Sequence, residues 1–166
     1  MSEKQQSLNG LFIDTIKEQK VPMFRLAFSI VMNREDAEDV VSETVYKAYS
    51  HLSELRNPKR IKSWIFQILV NESKTCIKKR SRLELVEDTS LFLEEDGNKE
   101  SSYDLLEFVY QLGDNFKEVI ILYYFEEFRV KEIAKILNIS EGTVKSRLSR
   151  ARVELKRFIE NSNQKG

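Results

Sequence analysis

Six cations crowd one stretch of the chain: Lys145, Arg147, Arg150, Arg152, Lys156 and Arg157, opposed between residues 144 and 158 by Glu154 alone. Groups of this kind at this density neutralise phosphates, with the salt dependence that counterion release imposes. Lys145 and the hydroxyls of Ser146 and Ser149 are of a type and place to reach base edges or phosphates. A second run, Lys74, Lys78, Lys79, Arg80 and Arg82, has no acid among its cations, and Arg56, Lys59, Arg60 and Lys62 come shortly before it. Such a run serves as a solvated helix face or as a DNA contact, and charge alone does not choose. A third cluster has the opposite sign. Glu35, Asp36, Glu38, Asp39 and Glu43 suit a helix N-terminus, and they also suit docking against a basic partner.

Catalytic chemistry is not expected. His51 is the single histidine, so neither a histidine-rich metal site nor a serine-type triad is anticipated. Five scattered glycines form no phosphate loop. Acidic pairs such as Glu94 and Glu95 fall in a polar connector, without a pocket to raise a pKa. The reading is of a non-enzyme with no catalytic residues, no cofactor and no metal.

The elements that must carry the basic stretch follow from spacing. Val130, Ile133, Ala134 and Leu137 recur at helical intervals and predict a helix over 130–137. Asn138 suits a left-handed turn position, Ser140 suits the next N-cap, and Glu141 puts negative charge at that helix's positive end. The following helix would bury Val144, Leu148, Ala151, Leu155 and Phe158 or Ile159. This is a helix-turn-helix whose second helix is basic and polar at its start, a form suited to the DNA major groove. An ordinary helical hairpin with a solvated basic face has the same pattern.

Upstream, Leu8 to Met32 reads as helical, with Pro22 either starting a new helix or kinking a longer one. Asn33 caps a helix to about His51, with Ala37, Val40, Val41, Thr44, Val45, Ala48 and Tyr49 inward. From Pro58 a helix runs to about Cys76, with Ile61, Trp64, Ile65, Ile68 and Leu69 on one face. Trp64 and Phe66 are aromatics of a kind that stacks on bases, and Trp64 is the one expected in the core. Leu105–Gly113 and Asn115–Glu127 make two further helices. Leu105, Leu106, Val109 and Leu112 face inward on the first, and Val119, Ile120, Leu122, Tyr123 and Phe125 on the second.

Scarce glycine (5) and proline (2) among 166 residues, with 41% hydrophobic and 33% charged, favour an all-α protein. Net charge is zero but uneven: +5 over residues 1–82, −8 over 83–107 and +3 over 108–166. The expected organisation is two small helical domains, 1–82 and 105–166, joined by an acidic flexible linker over 83–104, with the helix-turn-helix in the second. Cys76 stands alone, so no internal disulfide is possible, which fits a reducing cytosol. The N-terminus lacks an apolar signal core, and the run Val119 to Phe125 is too short for a bilayer. A soluble, cytoplasmic protein is expected.

The string KEIAKILNISEGTVKSRLSRAR closely resembles the promoter-binding helix-turn-helix of bacterial sigma factors, especially the extracytoplasmic-function group. DAEDVVSETVYKAY resembles the sigma segment that grips the clamp helices of core RNA polymerase, although Ser42 stands where the family usually has Gln and Val45 where it has Phe. The spacing Trp64-Ile65-Phe66-x-Ile68-x-x-Asn71 is similar to the family's promoter-melting helix and the loop after it. Leu112-Gly113 replaces the usual Leu-Pro. The resemblance implies polymerase contacts at Asp36, Asp39, Ser42 and Glu43. It implies contacts with the −10 element, including its melting, at Arg60, Lys62, Trp64, Asn71, Lys74, Lys78, Lys79 and Arg80, with Asn71 helping to hold a flipped base. It implies reading of the −35 element by Glu141, Thr143, Lys145, Ser146, Arg147, Ser149, Arg150 and Arg152. The implied partners are core RNA polymerase, promoter DNA and an anti-sigma factor, often membrane-anchored. The free chain would be a monomer serving an envelope-stress type regulon. Two competing readings are a dimeric helix-turn-helix regulator acting without being a polymerase subunit, and a helical adaptor that does not bind DNA.

Overall fold

The computed structural model describes the backbone of residues 2–83 and 100–164, with side chains for 2–82 and 105–164. Every regular element among them is a helix. Two compact units divide between residues 89 and 90. The expected connector lies outside the described residues except at its ends, and both ends are helical.

The first unit packs three helices against one another: α1 (Glu3–Val31), α2 (Arg34–Ser50) and α3 (Ile61–Leu83). Ser2 caps α1, accepting from the Gln5 N–H at 3.3 Å. Pro22 does not start a new helix; of the two alternatives the longer helix holds, with Pro22 inside α1, which is continuous for 29 residues. Burial is dense after Pro22, at Met23, Leu26, Ala27, Phe28, Ile30 and Val31, and sparse before it, at Phe12 and Thr15. Met32 then ends the helix in the left-handed region (φ 53°, ψ 35°), its N–H donating to the Phe28 carbonyl at 2.8 Å. A non-glycine residue there costs about 1–2 kcal/mol, which the surrounding contacts must offset.

Asn33 caps α2 as expected, accepting the Asp36 N–H at 2.9 Å. Ala37, Val40, Thr44 and Ala48 form its buried face. Tyr49, expected inward, is 59% exposed, with its ring centre 5.8 Å from that of Phe12. Two single 3-10 turns, Leu52–Glu54 and Pro58–Arg60, lead into α3. That helix continues past its expected end at Cys76 to Leu83. No glycine or proline interrupts residues 77–83, and their cations suit the negative end of a helix. Phe66 is fully buried while Trp64 is half-buried, the reverse of the sequence expectation. Ser29, Thr44 and Ser73 are buried too, and each hydroxyl donates to a carbonyl of its own helix at 2.6–2.8 Å.

The second unit holds α4 (Glu100–Tyr110), α5 (Asp114–Ile120), α6 (Val130–Leu137) and α7 (Glu141–Gln164). α4 begins five residues before its expected start. The expected long helix to Glu127 instead narrows to α5 and widens into a π-turn over Ile121–Phe125, closed by the Glu126 N–H on the Ile121 carbonyl at 3.0 Å. Glu127 follows at positive φ (58°). Val119, Ile120, Ile121 and Leu122 are all buried against α7, α6 and the segment around Phe128. Leu105, expected inward, is exposed at the rim of a groove of about 430 Å³ that Ile120, Tyr124, Leu155 and Ile159 also line.

Candidate nucleic-acid interface

In the second unit the turn between α6 and α7 is built from local hydrogen bonds. The Glu132 carboxylate reaches back to accept the Arg129 N–H at 3.1 Å and so steadies the start of α6. Asn138 takes the left-handed conformation (φ 55°, ψ 49°) that its residue type favours. The next amide, Ile139 N–H, donates to the Ala134 carbonyl at 3.0 Å. The Ser140 hydroxyl accepts the Thr143 N–H at 3.1 Å and lies 2.8 Å from the Thr143 hydroxyl. Ile133, Ala134, Ile136 and Leu137 are buried on α6, and Val144, Leu148 and Ala151 on α7.

On α7, Glu141, Lys145, Ser146, Ser149 and Arg150 are exposed on the side away from that core. Thr143 and Arg147 are half-buried, and Thr143 is engaged in the cap. Arg152 is held within the unit. Its Nε donates to the Tyr124 hydroxyl at 2.5 Å, and its guanidinium lies 5.8 and 5.6 Å from the ring centres of Tyr123 and Tyr124. Leu155, Phe158 and Ile159 are half-buried where burial was expected. Val153, 62% exposed, also joins this surface.

In the first unit, α3 offers a second exposed stripe. Gln67, Asn71, Lys74 and Lys78 lie at i, i+4, i+7 and i+11, flanked by half-buried Trp64 at one end and by exposed Lys79 and Arg82 at the other. Asn71 is in mid-helix, and α3 stays helical well beyond it rather than opening into a loop. Arg60 is exposed just before α3, and Lys62 is half-buried. Arg80 differs from its neighbours. Its Nη1 donates to the Asp36 carboxylate at 3.0 Å and its Nη2 to the Val31 carbonyl at 2.6 Å. Arg80 and Asp36, assigned by resemblance to different partners, therefore meet each other.

The acidic side of α2 presents Asp39, Ser42 and Glu43 to solvent, and Tyr46, 68% exposed, continues their line. Sequence reasoning missed Tyr46; its place at i+7 from Asp39 was the available signal. It also missed the ion pair of Lys47 with Glu72 at 2.5 Å, which ties α2 to α3. That hydrogen bond raises the Lys47 pKa above its ordinary 10.5. Burial, then the nearby Asp36 charge, raises the Cys76 thiol.

Comparison with known proteins bears on both surfaces. Residues 16–83 match the Sigma-70 region 2 family, and residues 111–155 match Sigma-70, region 4. The RNA polymerase sigma factor SigV of Bacillus subtilis is 38% identical over 90% of this chain and 91% of its own. The ECF RNA polymerase sigma factor SigM of the same organism is 32% identical over 81% and 86%. Among solved structures, the sigma factor RpoE in complex with the anti-sigma factor NepR from Bartonella quintana superposes with a TM-score of 0.71, at 28% identity, over 89% of this chain and 97% of that one. Matches that run nearly end to end, through both helical units, set aside the dimeric regulator and the adaptor. No described helix is long and apolar enough to cross a membrane. The chain belongs to the extracytoplasmic-function sigma factors, non-catalytic subunits that direct bacterial RNA polymerase to promoters.

Proposed function

We propose that this sigma factor reads the upstream promoter element with α7, binds and melts the downstream element with α3, and grips core RNA polymerase with the acidic side of α2. The observation that carries the reading is the exposed polar face of the first turns of α7, with Lys145, Ser146, Ser149 and Arg150 opposite the buried Val144, Leu148 and Ala151. A helix so presented enters the major groove with its N-terminal residues at base edges. On α3, unstacking a base costs roughly a few kcal/mol. Phosphate contacts from Lys74, Lys78 and Lys79 offset that cost, together with stacking on the half-exposed Trp64. Asp39, Ser42, Glu43 and Tyr46 supply the polymerase contact. Each DNA surface is weak alone, and their linkage through one chain and the polymerase multiplies them.

The residue assignments, and the division into modules over 1–82 and 105–166, rest on the match of these surfaces to the family's motifs. The relative solved with NepR supports a protein inhibitor for this chain as well. A monomeric free chain in the cytoplasm extends the family resemblance. A membrane anchor on that inhibitor and an envelope-stress regulon extend the family resemblance. The test is a footprint of reconstituted holoenzyme on a promoter selected from random-sequence duplexes. Arg150→Ala should weaken upstream protection, and a Lys74→Ala, Lys78→Ala, Lys79→Ala triple variant should erase permanganate reactivity in the melted region. Unchanged upstream protection in Arg150→Ala would overturn the recognition-helix assignment.

A further inference from the structure

We propose that Arg80 is a positioning residue: it locks the basic end of α3 to the α1–α2 junction, and it does not itself bind phosphate. The argument starts from how thinly that end is held. From Lys74 to Arg82 no residue of α3 is buried; Cys76, Ile77 and Arg80 are half-buried and the rest are exposed. Among the described residues of its cationic run, Arg80 alone reaches partners in other helices, 44 and 49 residues away in sequence. Those partners sit on either side of one sharp corner. The Val31 carbonyl belongs to the last turn of α1, where carbonyls lack helical partners and carry partial negative charge. Asp36 belongs to the first turn of α2. Between them Met32 holds its left-handed conformation.

One planar guanidinium thus satisfies both helix ends at once, using two nitrogens of its fork. A lysine, with a single point of charge, cannot span both acceptors in that geometry. The side chains of Arg80 and Asp36 are 26% and 31% exposed, so the pair is shielded more than its lysine neighbours. The consequence is directional. With Arg80 in place, the Lys74, Lys78 and Lys79 stripe keeps one heading relative to the acidic side of α2, and so relative to polymerase. This inference rests on the reading of α3 as a DNA surface.

The test uses holoenzyme preassembled with saturating core polymerase, checked by co-elution, and a promoter duplex selected with the wild type. Affinity is followed against salt for Lys78→Ala, Lys79→Ala, Arg80→Ala, Arg80→Lys, Asp36→Asn and the Arg80→Ala, Asp36→Asn pair. Each lysine variant should lower the slope of log K against log salt by about 0.9. Arg80→Ala should lose about tenfold or more in affinity with the slope unchanged. Asp36→Asn should lose affinity with an unchanged slope as well, and the double variant should be no worse than the poorer single one, the sign of one coupled unit. Arg80→Lys should fail to rescue. A slope that falls in Arg80→Ala as it does in the lysine variants, or full rescue by Arg80→Lys, would overturn the proposal. If the lysine variants leave the slope unchanged, the DNA reading of α3 fails instead. The clasp is then judged by thermal unfolding, where additive losses from Arg80→Ala and Asp36→Asn would overturn it. Should Arg80→Ala not fold, Arg80→Lys and Asp36→Asn carry the same comparison.

Discussion

The chain has two basic helices, and they are held in different ways. The basic face of α7 begins at a turn made from residues close in sequence: Asn138 in the left-handed region, and Ser140 capping onto Thr143. Its exposed cations begin one turn inside that cap. The basic end of α3 begins where packing thins out, and its heading depends on Arg80 reaching helix ends 44 and 49 residues away. Local hydrogen bonds aim the first surface, and a long-range ion pair aims the second. The first form suits reading bases, which needs a fixed helix start. The second suits following phosphates, which needs charge along a line.

The largest expected effect falls on the packing under α7. Leu148→Ala removes a side chain only 2% exposed on the buried face of α7 and should cost about 2–5 kcal/mol in chemical unfolding. A loss under 1 kcal/mol would mean that the helix start is not set by this core. Next come the two surfaces themselves. Arg150→Ala should weaken binding to the selected promoter by about 1–3 kcal/mol while binding to mismatched duplexes changes less. Lys78→Ala should weaken all sequences alike, as a phosphate contact does. Equal behaviour of the two variants in a competition assay would erase the distinction drawn here.

Smaller effects probe the caps. Ser140→Ala and Asn33→Ala each remove one capping acceptor and should each cost about 1 kcal/mol by thermal unfolding. Ser140→Ala should also lower promoter affinity, because it loosens the start of the reading helix. The smallest effect is the pH dependence of the α2–α3 tie. The Lys47 pKa is raised by its hydrogen bond with Glu72. The stabilisation is therefore complete below the ordinary lysine value near 10.5 and fades as pH rises through the higher folded value. The melting difference between wild type and Glu72→Gln should hold from pH 8 to about 10 and shrink above that. A difference that instead grows with pH would contradict the pairing.

Features that depend on near neighbours were legible in the sequence. The span of α6, the left-handed Asn138 and the caps at Asn33 and Ser140 follow from residue type and helical spacing. Features that depend on distant partners were not. Arg80 looked like its lysine neighbours because nothing within a turn of it reveals Asp36 or Val31. Arg152 looked like a backbone-neutralising arginine because Tyr124 lies 28 residues away. Trp64 and Phe66 exchanged places because they sit two positions apart, about 200° around the helix, and bulk alone does not say which one the neighbouring helices cover. Pro22 left two possibilities open, a new helix or one longer helix, and the structure has the longer helix. A proline removes one amide and disfavours a helix interior, yet tertiary packing of Met23 to Val31 carries α1 through it.

The central claim is that the whole chain works as a sigma subunit through both helical units. The most direct measurement is co-elution of the purified chain with sigma-free bacterial core RNA polymerase, followed by run-off transcription from the selected promoter. The account predicts a stable complex and a transcript of defined start whose yield falls with Arg150→Ala. A well-folded chain that leaves the column apart from core polymerase and supports no transcript would contradict it.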